Sequence, residues 1–213
     1  WKTTTNHIGP DYAVLGHYIS GTTNVNDWRT LYDPRVANRG LDFSFVLTTT
    51  PPPPTPCVDT NTVKYEQRPN IDGGYDVWDN GPWVLADDFI CTNTGAITDI
   101  HLWGSWRADD VDPNPTFWVG IYDDVPAITN GPTIIPSRPG TNLLWQQYFG
   151  PGQYAQSLFG AGFDQFLDPG PPAVIGFDSK IYYYCFYPTN PFVQLGTPGQ
   201  PKIYWLSVYV PTQ

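Results

Sequence analysis

The sequence contains little charge and almost no glutamate. Lys, Arg, Asp and Glu make up 14% of the 213 residues, whereas soluble domains usually carry about 25%. Nineteen of the 20 acidic residues are aspartate, and the remaining one is Glu66. Because aspartate favours turns and glutamate favours helix interiors, this bias argues against a helical fold. The net charge of -10 also disfavours nucleic acid and anionic membranes as partners.

Methionine and long apolar segments are both absent. A chain that begins at Trp1 and has no methionine is expected to be a processed mature protein that has been exported. Since no stretch of about 18 apolar residues occurs, no membrane-spanning helix is expected either. We therefore predict a secreted, extracellular protein.

The sequence also lacks the short motifs of common catalytic and metal sites. Its three histidines, His7, His17 and His101, show no His-x-x-x-His spacing, and no Gly-x-Ser-x-Gly or Cys-x-x-Cys motif occurs. Asp87 and Asp88 are adjacent, but neighbours in a strand point to opposite faces, so at most one of them faces the core. A glycosidase pair would need a second carboxylate from a distant strand. We predict a non-catalytic protein without a cofactor.

Aromatic residues, proline and glycine are abundant instead. Aromatic side chains make up 16% of the chain, which also has 24 Pro and 20 Gly. This composition favours strands and turns, and several segments alternate apolar and polar residues. We predict an all-β fold, a β-sandwich or jelly roll, preceded by an extended arm. The predicted strands of the main domain are Trp83–Cys91, Ile97–Trp106, Thr116–Tyr122, Asn142–Phe149, Gln153–Phe159, Ile181–Tyr187 and Lys202–Val210.

A proline-rich linker over residues 51–56 divides the chain. Four consecutive prolines form a polyproline II rod, and six such residues span roughly 19 Å. The predicted organisation is an interaction arm over residues 1–50, this linker, and a β-sandwich domain over residues 57–213. Threonines beside the linker are candidates for O-linked glycans. These candidates are Thr48, Thr49, Thr50 and Thr55.

The arm carries one strongly apolar strand pattern. Over Leu41–Leu47, the residues Leu41, Phe43, Phe45 and Leu47 alternate with Asp42, Ser44 and Val46. About 50 mostly polar residues cannot bury this face in a core of their own. We predict that the four apolar side chains insert into a neighbouring subunit, as in donor-strand exchange, and build a homopolymer. The alternative is an arm that wraps its own domain.

Three cysteines leave one without a partner inside the chain. Cys91 and Cys185 both end aromatic-rich strand patterns, and we predict that they form a disulfide. Cys57 follows the linker and would then be the odd cysteine.

The densest group of acidic residues lies in a loop after the second predicted strand. Asp109, Asp110 and Asp112 place carboxylates at the spacing that a calcium loop uses, although the EF-hand pattern is absent. Calcium at this loop is one interpretation. A solvated acidic loop without a metal is the other.

Two motifs resemble a known family. They are Leu85-Ala-Asp-Asp-Phe-Ile-Cys91 and Ile97-Thr-Asp-Ile-His-Leu-Trp-Gly-Ser-Trp106. The chain resembles an uncharacterised family of secreted bacterial domains from about Lys64 to Val210, and the arm lies outside the resemblance. It implies an extracellular β-sandwich and assigns no catalytic residue.

These observations favour a structural role. We predict a glycoprotein that self-assembles into an extracellular fibre or surface layer through its arm. The alternative is a carbohydrate-binding module that uses exposed tryptophan and tyrosine side chains to bind glycans.

Overall fold

A computed structural model shows an all-β sandwich, which confirms the predicted fold class. It describes residues 1–7, 11–18, 25–49, 62–71, 73–79, 83–170 and 172–211. The strands are β1 Thr3–Thr4, β2 Val14–Tyr18, β3 Val25–Thr30, β4 Asp42–Phe43, β5 Phe45–Thr48, β6 Val63–Gln67, β7 Asp76–Val77, β8 Trp83–Cys91, β9 Gly95–Ile97, β10 Asp99–Ser105, β11 Phe117–Val125, β12 Ile128–Asn130, β13 Thr133–Ile135, β14 Arg138–Phe149, β15 Tyr154–Pro169, β16 Pro172–Phe186, β17 Phe192–Gln194 and β18 Lys202–Tyr209. In the described ranges the sole helical element is a 3₁₀ turn over Arg107–Asp109.

Two six-stranded sheets form the sandwich. The strand order is β6-β5-β10-β16-β15-β7 in the first sheet and β14-β11-β18-β8-β2-β3 in the second. Neighbouring strands are antiparallel except β7, which runs parallel to β15. The core lies between the sheets, where inward side chains such as Leu85 and Phe89 of β8 are fully buried. Each such side chain contributes about 1.5–3 kcal/mol through the hydrophobic effect.

The outer faces of both sheets are also partly covered. Val84 and Ala86 of β8 pack with Trp118 and Trp205 on the outer face of the second sheet. On the first sheet, Cys185 belongs to a similar cluster. Several tryptophans of the main domain are therefore buried and cannot be the exposed glycan contacts of the alternative prediction. Trp103, Trp118 and Trp205 are each no more than 3% exposed.

The arm supplies strands to both sheets. Its strand β5 pairs with β10 on one side and β6 on the other, and β2 pairs with β8. The four predicted interface side chains lie in the core of their own chain, and each is 0% exposed: Leu41, Phe43, Phe45 and Leu47. Insertion into a neighbouring subunit would require exchange of the arm, and it stays a prediction.

Strand β5 is buried on both faces, whereas its alternating sequence predicts one solvated face. Val46 packs in the outer cluster with Trp103 and Cys185. Thr48 is 1% exposed, and its hydroxyl donates a 2.8 Å hydrogen bond to Asp99. Thr48 is therefore wrong as an O-glycan candidate, because a sugar cannot be attached to a buried, hydrogen-bonded hydroxyl. Thr49 stays a prediction, and Thr50, Thr55 and the linker lie outside the described residues.

The predicted disulfide between Cys91 and Cys185 is wrong. Cys91 is a free, buried thiol, whereas Cys185 is disulfide-bonded. The two cysteines lie in different sheets. Cys91 ends β8 and points into the core, whereas Cys185 of β16 lies in the outer cluster of the first sheet. Strand pattern alone does not show which face a cysteine occupies, so it could not reveal this separation. Cys57 lies outside the described residues.

Candidate functional site

A cleft of about 350 Å³ opens where β10 and β18 end. Its volume is within the range of small-molecule pockets, about 300–1,000 Å³. We call it the tryptophan cleft, and its polar and aromatic lining residues are Trp1, Trp78, Asp79, Ser105, Trp106, Arg107, Asp110, Asp112, Phe117, Phe166 and Tyr184. The combination of indole rings with carboxylates distinguishes it from two larger cavities, of about 810 and 630 Å³, each of which has only one of the two.

Two half-buried tryptophans flank the tryptophan cleft. The indole N–H of Trp106 donates a 2.8 Å hydrogen bond to the Tyr184 hydroxyl, which fixes the ring plane. The guanidinium carbon of Arg107 lies 5.9 Å from the centre of the Trp78 ring. Such a contact favours a planar cation over an aromatic face. Both rings are therefore held in place before any ligand arrives.

The floor of the cleft comes from the arm. The ring of Trp1 is 4% exposed and lies 5.5 Å from Phe117 and 5.8 Å from Tyr184, measured between ring centres. Gly104 makes room for it, because a Cβ at that position would lie 2.8 Å from the Trp1 ring. The Trp1 main chain exchanges two hydrogen bonds with Val77. Any substitution at Gly104 would therefore displace the cleft floor.

Asp79 lies beneath the cleft and receives a short hydrogen bond from the Trp1 indole N–H. Burial raises the pKa of Asp79 to about 7, although this hydrogen bond lowers it. Asp110 and Asp112 lie nearer the solvent. The cleft thus presents carboxylate acceptors beside aromatic faces.

The acidic loop does not form the calcium site that its sequence suggests. The Asp109 carboxylate accepts hydrogen bonds from the main chain of Ser179 and Lys180, at 3.0 Å each. Asp112 accepts one from the Asn114 main chain. Asp109, Asp110 and Asp112 do not converge on one point, because Asp109 faces β16 while Asp110 and Asp112 face the tryptophan cleft.

Three other carboxylates do converge, around Lys2 of the arm. Asp76 of β7, Asp164 of β15 and Asp178 of β16 place one oxygen each within 4.8 Å of one another. The Lys2 ammonium lies 3.3 Å from Asp76 Oδ2 and makes a closer ion pair with Asp164. All four side chains are buried. We call these residues the Lys2 cluster.

Asp178 is the least satisfied member of the Lys2 cluster. Neither of its carboxylate oxygens receives a hydrogen bond from an N–H or O–H donor, and Asp76 Oδ1 also lacks a donor. Burial raises the pKa of Asp178 to about 8, with a further contribution from the charge of Asp76.

The adjacent residues Asp87 and Asp88 point to opposite faces of β8, as their strand position predicts. Asp87 faces the core side and accepts hydrogen bonds from Phe43 N at 2.7 Å and Gln67 Nε2 at 2.8 Å. Asp88 faces outward, where burial raises its pKa to about 8 and the charge of Asp11 adds to the effect. Burial and the charge of Asp42 raise the pKa of Asp87 well above its usual range.

A larger cavity of about 810 Å³ lies beside β2 and β3. Trp28 and Trp83 line it, together with Arg29 and Arg138. No carboxylate of the described residues lines this cavity, so it offers no anionic acceptor beside its rings.

Sequence reasoning found part of the tryptophan cleft only indirectly. Gly104 and Trp106 belong to the motif that carries the family resemblance, but Trp1 and Lys2 are not among the predicted site residues. The signal was weak, because these two residues meet partners such as Val77 and Asp164, which lie 76 and 162 positions away.

Residues 63–213 match the model of a protein family described as Domain of unknown function (DUF7901). The chain belongs to this family. The match confirms the resemblance to an uncharacterised family and leaves the arm outside the DUF7901 region. No curated protein and no solved structure matches the chain. A helix of the length and apolarity that a membrane span needs does not occur in the described residues.

The DUF7901 region contributes most of the sandwich without closing the first sheet. Its strands β6 and β10 are separated by β5, which comes from the arm. The matched region also supplies Trp78 and Trp106 of the cleft and all three carboxylates of the Lys2 cluster, whereas the arm supplies Trp1 and Lys2.

Proposed function

We propose that this protein is an extracellular carbohydrate-binding module and that the tryptophan cleft is its sugar site. The observation that carries the proposal is the pair of oriented indole rings, Trp78 and Trp106, beside Asp110 and Asp112. The C–H faces of a pyranose ring stack on indole, and carboxylates accept hydrogen bonds from sugar hydroxyls. Arg107 adds a donor at the same edge.

The fixed geometry of the cleft supports the proposal further. The hydrogen bond from Trp106 to Tyr184 and the contact of Arg107 with Trp78 hold the rings before binding. A site whose side chains are already ordered loses less conformational entropy when a ligand binds. The predicted absence of catalysis agrees with a binding role and stays a prediction.

Glycan-array screening followed by calorimetry of the best ligand tests the proposal. Trp106→Ala and Trp78→Ala should each weaken binding at least tenfold, because each removes a stacking face. Trp145→Ala is the matched control, since Trp145 is a half-buried tryptophan outside the cleft. Binding that is equally weakened by Trp145→Ala, or no binding to any glycan, would contradict a sugar site at this cleft.

A second candidate function is self-assembly through arm exchange. The position of β5 favours it, because an arm outside the DUF7901 region fills a place between two strands of that region. A neighbour's arm would make the same contacts. An exposed apolar surface on the β15–β16 hairpin adds a possible contact between subunits: Phe163 and Phe177 stack at 4.7 Å and are 75% and 45% exposed.

An engineered disulfide between β5 and β10 tests arm exchange. Thr48 and Asp99 are cross-strand partners, so Thr48→Cys with Asp99→Cys places two thiols at a separation that a disulfide accepts. In a Cys91→Ala background, exchange should give a ladder of covalent multimers on a non-reducing gel. Asn130→Cys with Thr133→Cys is the control, since both residues lie in one hairpin. A single monomeric band for both double variants would exclude exchange.

A further inference from the structure

We infer that the Lys2 cluster is a binding site for a divalent cation, with calcium as the ion that its oxygen ligands suit. The site would be formed by Asp76, Asp164 and Asp178 beside the Lys2 ammonium. It is separate from the tryptophan cleft and does not depend on sugar binding.

Charge is the first argument. When all three carboxylates are ionised, they and the ammonium carry a net charge of -2 in a cluster whose four side chains are at most 4% exposed. Burying charge without compensation costs several kcal/mol per ion. No further Lys or Arg of the described ranges forms a salt bridge with these carboxylates. A divalent cation would bring the cluster to neutrality.

The second argument is the set of oxygens that Lys2 leaves unused. The ammonium engages Oδ2 of Asp76 and of Asp164. Asp76 Oδ1 and both oxygens of Asp178 have no hydrogen-bond donor, although both residues are buried. A buried carboxylate without a donor is uncommon in proteins. These oxygens are therefore available as ligands beside the ammonium.

The third argument is geometric. One oxygen from each carboxylate lies within 4.8 Å of the other two, and calcium binds oxygen ligands at about 2.3–2.6 Å. Two ligands on opposite sides of one calcium ion are thus about 5 Å apart, which the spacing matches. Cross-strand pairing of Asp164 with Asp178 fixes two of the ligands on neighbouring strands.

The full chain, stripped with EDTA, can be titrated with calcium chloride by calorimetry and by thermal unfolding at constant ionic strength. We expect one calcium per chain and a rise in Tm of about 5 °C at saturating calcium. Terbium should give luminescence sensitised by the neighbouring Trp1, and calcium should quench it. An absence of heat, of a Tm shift and of terbium luminescence would overturn the site and leave a proton as the neutralising cation.

Asp178→Asn tests the assignment of the ligands. This variant should fold, because it removes one buried charge, and it should lose the calcium-dependent Tm shift. Asp88→Asn is the matched control, since it removes a buried carboxylate elsewhere and should keep the shift. A calcium response that survives Asp178→Asn overturns the site. If this variant does not fold, Asp164→Asn provides the same test, and calcium quenching of terbium in the unaltered chain provides another.

Discussion

Two groups of buried carboxylates in this molecule are stabilised in different ways. In the Lys2 cluster an ammonium from the arm reaches Asp76 and Asp164. Asp87 and Asp88 of β8 form no salt bridge with any Lys or Arg of the described residues. Asp87 depends on neutral donors instead, and within the described part of the chain Asp88 receives one hydrogen bond, at 3.4 Å from Asp11 N. All of these aspartates lie in β-strands, so secondary structure does not explain the difference. The comparison teaches that the neighbouring groups decide whether a buried aspartate is stabilised by a cation or by neutral hydrogen-bond donors.

Removal of the Lys2 ammonium should have the largest effect on the free energy of unfolding. Lys2→Met leaves three buried carboxylates without their cation, and breaking a buried ion pair from one side costs about 3–5 kcal/mol. Urea unfolding at pH 7 in EDTA should show this loss. Lys180→Met is the control, because Lys180 is exposed and should change little. A loss below about 1 kcal/mol in Lys2→Met would mean that the carboxylates do not need the ammonium.

Removal of a neutral donor should cost less. Gln67→Leu deletes the hydrogen bonds that Gln67 Nε2 donates to Asp87 and to the Phe43 carbonyl, and the one that Tyr65 donates to Gln67. Leaving such buried groups unsatisfied costs about 1–3 kcal/mol, measurable by urea unfolding. The exposed Gln156 on β15 offers the matched change, Gln156→Leu, which should be close to neutral. Equal stability of the two variants would show that Asp87 does not rely on Gln67.

Asp88→Asn, which neutralises the outward-facing carboxylate of β8, should stabilise the protein, and only at high pH. The pKa of Asp88 is about 8 in the folded state and about 3.9 when unfolded. Between these values the folded state holds a proton that the unfolded state has lost, so stability falls as pH rises from 4 to 8. Asp88→Asn lacks this dependence.

The gain of Asp88→Asn over the unaltered chain should therefore grow by at least about 1.4 kcal/mol between pH 5 and pH 8, the equivalent of one pKa unit. Thermal unfolding across this range measures it. Asp27→Asn, at an exposed carboxylate, should give a curve parallel to that of the unaltered chain. A parallel curve for Asp88→Asn as well would show that Asp88 ionises normally.

The smallest effect on stability is expected from a solvent-exposed ion pair. Arg29 and Asp27 lie 2.9 Å apart, but both are about two-thirds exposed. Solvent screens such pairs, and many contribute nothing measurable. Arg29→Ala should leave the unfolding midpoint unchanged. A marked loss would show that exposed pairs also contribute to the stability of this fold.

The sequence predicted strands well where their side chains enter the core. Strand β8 spans Trp83–Cys91 as predicted, and the alternating residues of the arm point into the core. The long strands β15 and β16 were underestimated. Their paired region around Gly160–Gly162 extends beyond the core, and both faces there include exposed residues. Without a buried face, alternation disappears and the segment looks like a turn.

The candidate sites were harder to predict than the fold. Lys2, Asp76, Asp164 and Asp178 become neighbours only through strand register, which pairs Asp164 with Asp178 and Lys2 with Asp76. No spacing rule connects such distant positions. In the loop with the densest aspartates, the carboxylates instead accept hydrogen bonds from main-chain N–H groups. Asp112 accepts one from Asn114 within a turn, and Asp109 accepts two from β16.

The burial of Lys2 beside Asp164 also has a consequence for the order of folding. Its ion pair with Asp164 joins residues 162 positions apart, and contacts of this range close slowly because loop closure comes first. Lys2 is therefore expected to find its partner late in folding. The cavity that holds Trp1 is likewise complete only once Tyr184 of β16 is in place, so both arm residues are expected to dock late in folding.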